Sequence, residues 1–547
     1  MTRRLKNIFG IFPLLLLLAS FACGRESKPA KTAKLGGTYH IPAAYHIGSL
    51  DPISGDIASW TIGSQIYEGL LTYSSDETRI TPLLAERYTT NDLSMQIHLR
   101  KGVKFHDAPC FAGGKGRELT AADVKYSFER LYHLDAAARN LPAGAFLGYE
   151  EFVKGRSSHI EGFKVLDKYI FEIRLTKPDP DLLSSLTNTN RFIVPKEAVE
   201  FYGDAFKWHP VGTGPFRFSE IEPNKNLVLV KNENYWGYEG QLRLPYLDCI
   251  EYIFYSPEED EKMFLDFQTG RIDECTSAVS QYLHELVEPD PQGNLLFKGW
   301  LKENGVQFVK DKAFRKLRYL QVEEENKKVR QAMGYAINQK RLIDKHANIF
   351  TNYEIAKGPI PSSAIYFNQN LAGQYYDPGQ ARKLLEEAGF PQGKGLPEYP
   401  FISLPDPDAD FIAEDLEAVG FKIKKTDPFP AWRELLVRKE PLLVRLMNIN
   451  TTPDVYSILE GLPKAACLTD SLFIRAFQDW QENEASYKNR VLLNRLEEII
   501  IDIAPVVFLY QIDGEFRFLQ RNVRGRQLGN AWGDKLQHVW LDHETNQ

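Results

Sequence analysis

Along residues 95–131 the spacing of apolar positions changes period. Ile97 and Leu99 fall on one face and Gln96, His98 and Arg100 on the other, the two-residue period of a half-buried strand. Lys101-Gly102 supplies a turn, and Val103 and Phe105 resume the alternation. Thr120 and Asp123 then form a capping-box-like helix start, with Asp in place of the usual Glu. Beyond it Val124, Phe128, Leu131 and Tyr132 share one helical face. The pattern predicts strand, turn, strand, polar loop and capped helix.

Helical spacing recurs elsewhere. Ile66 and Leu70 pack one face of a helix that Gly69 ends, and Val329, Ala332, Met333, Ala336 and Ile337 form a second stripe, with Asn338 capping a short continuation. In Asp377–Phe390 every terminus signal is present: Asp377 as N-cap, Pro378 at the first position, Gln380 placed for a capping box, and Gly389 as the stop. Ala418–Phe421 repeats that stop. Leu227–Val230 and Ile503–Tyr510 read as buried strands.

A chain of 547 residues exceeds one comfortable core and implies at least two domains. Its 43% hydrophobic and 25% charged content is that of a globular protein. A net charge of −7 without a Lys/Arg run argues against nucleic-acid binding. Arg3, Arg4 and Lys6 precede an apolar run from Ile8 to Phe21 that is short for a spanning helix and ends at Ala22-Cys23. This is the pattern of an export signal, residues 1–22. A small residue before Cys23 resembles the lipobox of bacterial lipoproteins, although Ser20 stands where Leu is usual. The expectation is an exported protein, lipidated at Cys23 and held outside a bacterial membrane, with residues 23–34 a flexible tether. Ordinary cleavage near Ala22 is the alternative. Cys110, Cys249, Cys275 and Cys467 permit disulfides, but free cysteines are expected.

Candidate chemistry is sparse. The eleven histidines form no H-E-x-x-H and no H-x-H, and no G-x-S-x-G occurs. His98 and His106 read as surface or structural residues. Asp406, Asp408, Asp410 and Glu417 mimic the spacing of a calcium loop, but Phe411 stands where that loop needs Gly, and Ile412, Leu416 and Val419 make the segment an amphipathic helix with an acidic start. Val211–Phe216 (VGTGPF) lacks the Lys and the helix of a phosphate loop. The glycines at 113, 114 and 116 read as a mobile surface loop. No metal or other cofactor is expected, and the chain reads as a binder, not an enzyme.

The string HLRKGVKFHD (98–107), followed by LTAADVKYSFER (119–130), resembles a signature of the oligopeptide- and dipeptide-binding proteins of ABC importers; residues 108–118 are an insertion relative to that pattern. Leu50-Asp-Pro52, Ile66–Leu70 (IYEGL), Pro82–Glu86, VGTGPF, Asn232–Gly237 (NENYWG), Phe264–Asp273, Val329–Ile337 and Asp377–Phe390 resemble further family elements in the family's order. The resemblance spans nearly all of residues 35–547 and is weakest over 397–472. It implies an α/β fold of two lobes joined by crossing strands, the two-lobed periplasmic-binding-protein fold, large and type II-like, with an extra subdomain in the first lobe. The implied boundaries are 35–262 for the first lobe, the subdomain at about 70–190, 263–502 for the second lobe, and 503–547 returning to the first.

The implied role is capture of a peptide or similar small solute between closing lobes and its delivery to an ABC permease and ATPase complex, by a monomer. Binding of a sugar, metal chelate or haem, or an orphan sensor or adhesin role, are the alternatives. The resemblance points to Tyr45, His46, Asn450, Thr451, Thr452, Asp454, Phe508 and Tyr510 as ligand-binding residues. In many family members an aspartate of a W-x-A-D-Y-like segment pairs with the peptide's α-amino group. Here that segment is Arg445–Tyr456, RLMNINTTPDVY, with no tryptophan and Asp454 its one acidic residue.

Overall fold

The computed structural model describes residues 34–542 apart from 45–46, 54–56, 75–78, 135–145, 180–181, 257, 277–281, 283–285, 290–294, 311–314, 347–351, 363–366, 404–405, 427–442, 452–458, 460–470, 483–489, 514–515 and 529–535. The strand–turn–strand–helix expectation of residues 95–131 is met in part. Ser94–Leu99 is a strand, buried at Met95, Ile97 and Leu99, and Ala121–Leu134 is a helix. Between them Val103 and Phe105 are buried but form no named strand; Lys104 makes an isolated bridge to Glu118. Thr120 N donates to Asp123 Oδ2 at 2.8 Å, the backward half of a capping box, and the Thr120 hydroxyl donates to the same oxygen at 2.9 Å.

The first lobe carries a four-stranded sheet in the order Thr38–Ala44, Cys249–Tyr255, Asn226–Lys231, Phe216–Glu222. The opening strand pairs in parallel with Cys249–Tyr255, Thr38 opposite Cys249 and Ala44 opposite Tyr255. A second four-stranded sheet, Ala85–Asn91, Ser94–Leu99, Ile170–Arg174 and Phe163–Asp167, packs its inner face on the helix Ala121–Leu134, with Phe128 edge-on to Phe163 and Phe171. The family-like motifs meet between these sheets. Arg130 donates to both oxygens of Asp51, at 3.0 and 2.5 Å. The buried carboxylate of Glu68 accepts from the Tyr235 hydroxyl (2.9 Å), Trp236 Nε1 (2.9 Å) and the Thr213 hydroxyl (2.8 Å). Burial outweighs these bonds and raises its pKa to about 7.

VGTGPF is held where no side chain fits. A Cβ on Gly212 would stand 2.1 Å from Ile66 O and one on Gly214 2.5 Å from Gln65 O, at the end of the helix Ile57–Ile66. That helix stops three residues before Gly69, which was expected to end it. His106 is buried, accepts from Gly212 N at 3.3 Å and donates Nε2–H to Gly214 O at 2.9 Å; burial depresses its pKa to about 4, so the ring is neutral.

Residues 108–118 correct the expectation of a mobile loop. Asp107 accepts from Lys115 Nζ and Gly116 N, both at 2.8 Å. Arg117 forks onto Asp123 (2.9 and 2.7 Å) and Glu197 (2.6 Å at both oxygens), its guanidinium over Phe105 and Phe111. Glu118 accepts from Gly102 N (2.5 Å), Lys168 Nζ (2.8 Å) and the Tyr169 hydroxyl (2.7 Å), which pull its pKa to about 2.

The second lobe is built on a six-stranded sheet in the order Asn352–Ile355, Val506–Asp513, Arg315–Glu323, Leu443–Thr451, Glu398–Ile402, Lys422–Thr426. One face carries Val329, Met333, Leu385 and Leu416; the other carries Leu493, Ile500 and the fully buried Trp480. Helix Pro378–Glu387 starts as predicted, Asp377 Oδ1 accepting from Gln380 N at 2.9 Å, and Gly389 has φ +90°. Asp406 caps the acidic helix Pro407–Val419, which ends at Gly420 with φ +115°. Asn338 Oδ1 accepts from Arg341 N at 3.0 Å at the head of the helix Gln339–His346. Cys110, Cys249 and Cys275 are free; Cys467 lies outside the described residues.

The lobe boundaries lie later than the sequence placed them. Glu274–Cys275, Phe516–Leu519 and Gln307–Lys310 form a three-stranded sheet beside the opening strand, Asp273 N donating to His40 O at 2.9 Å. Glu274–Cys275 and Gln307–Lys310 thus pair outside the six-stranded sheet of the second lobe. Ile503–Tyr510 does not return to the first lobe: Val506–Asp513 pairs with Arg315–Glu323 inside the second-lobe sheet, and the chain goes back only after Asp513. An apolar run reports that a strand is buried, not which sheet buries it.

Candidate functional site

Two strand pairs carry the chain across. Gln307–Lys310 leads to Arg315–Glu323 outward, and Val506–Asp513 leads to Phe516–Leu519 on the way back. The pairings on either side are both antiparallel, Lys310 opposite Phe516 in one lobe and Arg315 opposite Asp513 in the other. The opening strand, Thr38–Ala44, ends beside Tyr255, and Leu443–Thr451 ends with Thr451 opposite Arg315 and Asn450 opposite Lys316. Asn450 and Thr451 are therefore backbone neighbours of the crossing. Tyr45, His46, Thr452 and Asp454, and Cys23 with the leader, lie outside the described residues.

Phe508 and Tyr510 have different surroundings. Phe508 is fully buried among Leu317, Tyr319, Trp480 and Ile500. The pairing slips between Arg318 and Tyr319, so that Arg318 faces Tyr510 and Tyr319 faces Phe508. Such a bulge adds one residue and breaks the alternation. Tyr510 consequently joins the core on the opposite face, with Leu509. There its hydroxyl donates to Asp408 Oδ2 at 2.5 Å, and its ring stands edge-on to Tyr353, 5.6 Å away. Arg318 Nη2 donates to Asp406, the N-cap, and Arg318 Nε lies 3.7 Å from Asp408 Oδ2. Burial, then the Asp408 charge, holds the Tyr510 phenol far above its ordinary pKa. Two carboxylates around one guanidinium leave this group with an excess negative charge when both are ionised. The helix N-terminus beneath it offsets part of that charge.

On the first-lobe side the buried Glu274 accepts from the Tyr39 hydroxyl (2.7 Å) and Arg526 Nε (2.7 Å), with Arg517 Nε at 3.6 Å. This fixes the returning strand to the opening one. His40 makes a second link. Its Nδ1 lies 3.0 Å from Asp273 Oδ2 and its Nε2 3.6 Å from Glu251 Oε2, and the bond to Asp273 raises its pKa despite burial.

Sequence reading missed Arg318 and Glu274, and took Asp408 only as part of an acidic helix start. The available signal was a charge at a strand position flanked by apolar residues, as in KLRYLQV (316–322). Among the described residues no group of three His, Cys, Asp or Glu side chains is placed to hold a metal, and no helix is long and apolar enough to cross a membrane.

The sequence model of bacterial extracellular solute-binding proteins, family 5 (middle), matches residues 79–465. Heme-binding protein A of Haemophilus influenzae is 30% identical over 382 residues, 66% of this chain and 64% of its own length. Glutathione-binding protein GsiB of Salmonella choleraesuis is 29% identical over 349 residues, 63% of this chain and 60% of its own. The chain thus aligns with less than two thirds of these curated relatives. Among solved structures, the ABC transporter-associated periplasmic binding protein DppA from Helicobacter pylori, in complex with peptide STSA, superposes with a TM-score of 0.73 at 23% identity, over 93% of this chain and 99% of that one. The binding protein AgaA with agropinic acid, from A. tumefacien R10, gives 0.74 at 19% identity over 93% and 99%. The shared feature at such identities is the fold: two α/β lobes joined by crossing strands.

Proposed function

Because the chain belongs to the bacterial extracellular solute-binding proteins of family 5, we propose that it captures a peptide or comparable small polar solute between its two lobes and delivers it to an ABC permease and ATPase complex. It does so outside the cytoplasmic membrane, as a monomer held by a lipid on Cys23, and performs no catalysis. The observation that carries this reading is the antiparallel pairing of the same two stretches of chain on both sides of the crossing, Lys310 with Phe516 and Arg315 with Asp513, a connection suited to hinge closure. The solute lies beside that crossing, near the strand end at Asn450 and Thr451 and the start of the helix Pro407–Val419.

The test is native mass spectrometry of the purified protein, followed by small-angle scattering with and without the retained solute. Closure on a solute at a hundredfold excess over its dissociation constant stabilises the protein by about 2.7 kcal/mol and lowers its radius of gyration. A saturated protein of unchanged radius would refute hinge closure, and cleavage of peptide pools would refute a purely binding role. A non-peptide ligand is the second reading. It is favoured by RLMNINTTPDVY, which lacks an aspartate at the usual anchor position, and by the haem-binding relative.

A further inference from the structure

The chain enters its fold at one pole of the first lobe. Gly36 N donates to Tyr246 O at 2.8 Å, Gly37 N to Asp248 Oδ2 at 3.1 Å, and Lys34 Nζ lies 3.4 Å from the buried Asp542. The opening strand runs from this pole toward the lobe crossing, and its seven residues put roughly 20 Å between the two.

The same pole carries a small hairpin, Tyr238–Glu239 paired with Leu242–Arg243, turning at Gly240 (φ +59°). Its base is fixed: Tyr246 donates its hydroxyl to Glu239 at 2.6 Å, Leu244 N donates to Gly237 O at 3.0 Å, and Leu242 packs against a cluster of Tyr235, Leu244, Tyr246 and Trp540. Its tip is open. Tyr238 is 55% exposed, and Leu35, one residue before the Gly36–Tyr246 bond, is 57% exposed. Arg243 lies over the Tyr238 ring at 5.2 Å and donates Nε–H to its hydroxyl at 2.9 Å, so the phenol oxygen is satisfied while the ring remains outside.

We propose that this pole is a membrane-contacting surface, with Tyr238 and Leu35 resting in the headgroup–acyl boundary of the bilayer. The occupant follows from where the chain ends. Only eleven residues, 24–34, separate Cys23 from Leu35. A flexible chain of that length spans about 20 Å on average and about 40 Å at full extension, so the pole lies within that reach of an anchor at Cys23. Tyr, with its apolar ring and polar tip, and Arg, with an apolar stem, suit that boundary. The contact is weak alone and becomes populated because the amino terminus confines it. The inference rests on the reading that this terminus is held at a membrane by a lipid on Cys23.

The test reconstitutes the full chain into phosphatidylcholine vesicles containing acyl-brominated phosphatidylcholine and compares Tyr238→Trp with Leu296→Trp, an exposed apolar position on the strand Leu295–Phe297. The added tryptophan at 238 should show at least twice the fractional quenching of the one at 296. Equal quenching in protein that sediments with the vesicles overturns the surface while leaving the anchor intact. Protein that stays in the supernatant overturns the anchor and the surface together.

Discussion

The hydroxyl of Tyr510 meets the carboxylate of Asp408 at 2.5 Å across 102 positions of sequence, because a strand bulge beside Arg318 turns the ring to that face. Tyr510→Phe keeps the packing and removes the donor to a buried carboxylate. It should lower stability by about 1.5–3 kcal/mol in urea unfolding. If Tyr510 instead acts on the solute directly, affinity will fall while the unfolding midpoint stays in place.

Glu497 is almost wholly buried on the helix Arg490–Ile503, no donor among the described residues reaches its Oε2, and desolvation raises its pKa from 4.5 to about 8. A carboxyl that binds its proton more tightly when folded loses stability as pH rises through the interval between its unfolded and folded values. Wild type should therefore lose about 2–4 kcal/mol relative to Glu497→Gln between about pH 5 and pH 9. Parallel pH profiles of the two proteins would remove Glu497 as the titrating group.

Arg117 ties the 108–118 segment to Asp123 and Glu197. Arg117→Ala strands the buried Asp123 carboxylate and should cost about 1–3 kcal/mol, below the full cost of a buried pair because the guanidinium is partly exposed. Limited proteolysis should then cut within Ala112–Gly114, which the intact protein resists. Equal cleavage rates would mean the clamp does not order the turn.

For the solute, a peptide is titrated free and amino-acetylated against wild type and Asp454→Asn. If Asp454 is the displaced anchor, the substitution should weaken the free peptide by orders of magnitude and spare the acetylated one, since an ammonium buried without its carboxylate costs about 3–5 kcal/mol. If Asn450, Thr451 and Thr452 form the contact, both peptides should bind alike. A preference for the free amine that survives Asp454→Asn defeats both versions.

Cys23→Ala should release the protein from the membrane fraction or block its processing. Unchanged fractionation and mature mass would disprove lipidation.

Much of the first lobe was legible because its short motifs are mutual contacts. Asp51 meets Arg130, Glu68 meets Thr213, Tyr235 and Trp236, and His106 holds the loop of Gly212 and Gly214. Local terminus chemistry was equally readable, as at Asp377 and Asp406. What escaped depends on distant partners. The glycines at 113 and 114 suggest mobility until Arg117 is seen to reach Glu197, eighty residues on. The apolar run of Val506–Tyr510 could not reveal the bulge that places Phe508 in one core and Tyr510 in another.

The two returning strands also set when this protein can become whole. Phe516–Leu519 is the middle strand of its three-stranded sheet, and Val506–Asp513 lies inside the six-stranded one. Both come from the last tenth of the chain. Until those residues are synthesised, Gln307–Lys310 has no partner, Arg315–Glu323 shows an open edge, and neither lobe can close its core. Pairings of such long sequence separation form slowly. A nascent chain therefore stays unfinished in both lobes until residues 506–519 have been made, the state a polypeptide needs if it is to be threaded through a translocation pore before it folds.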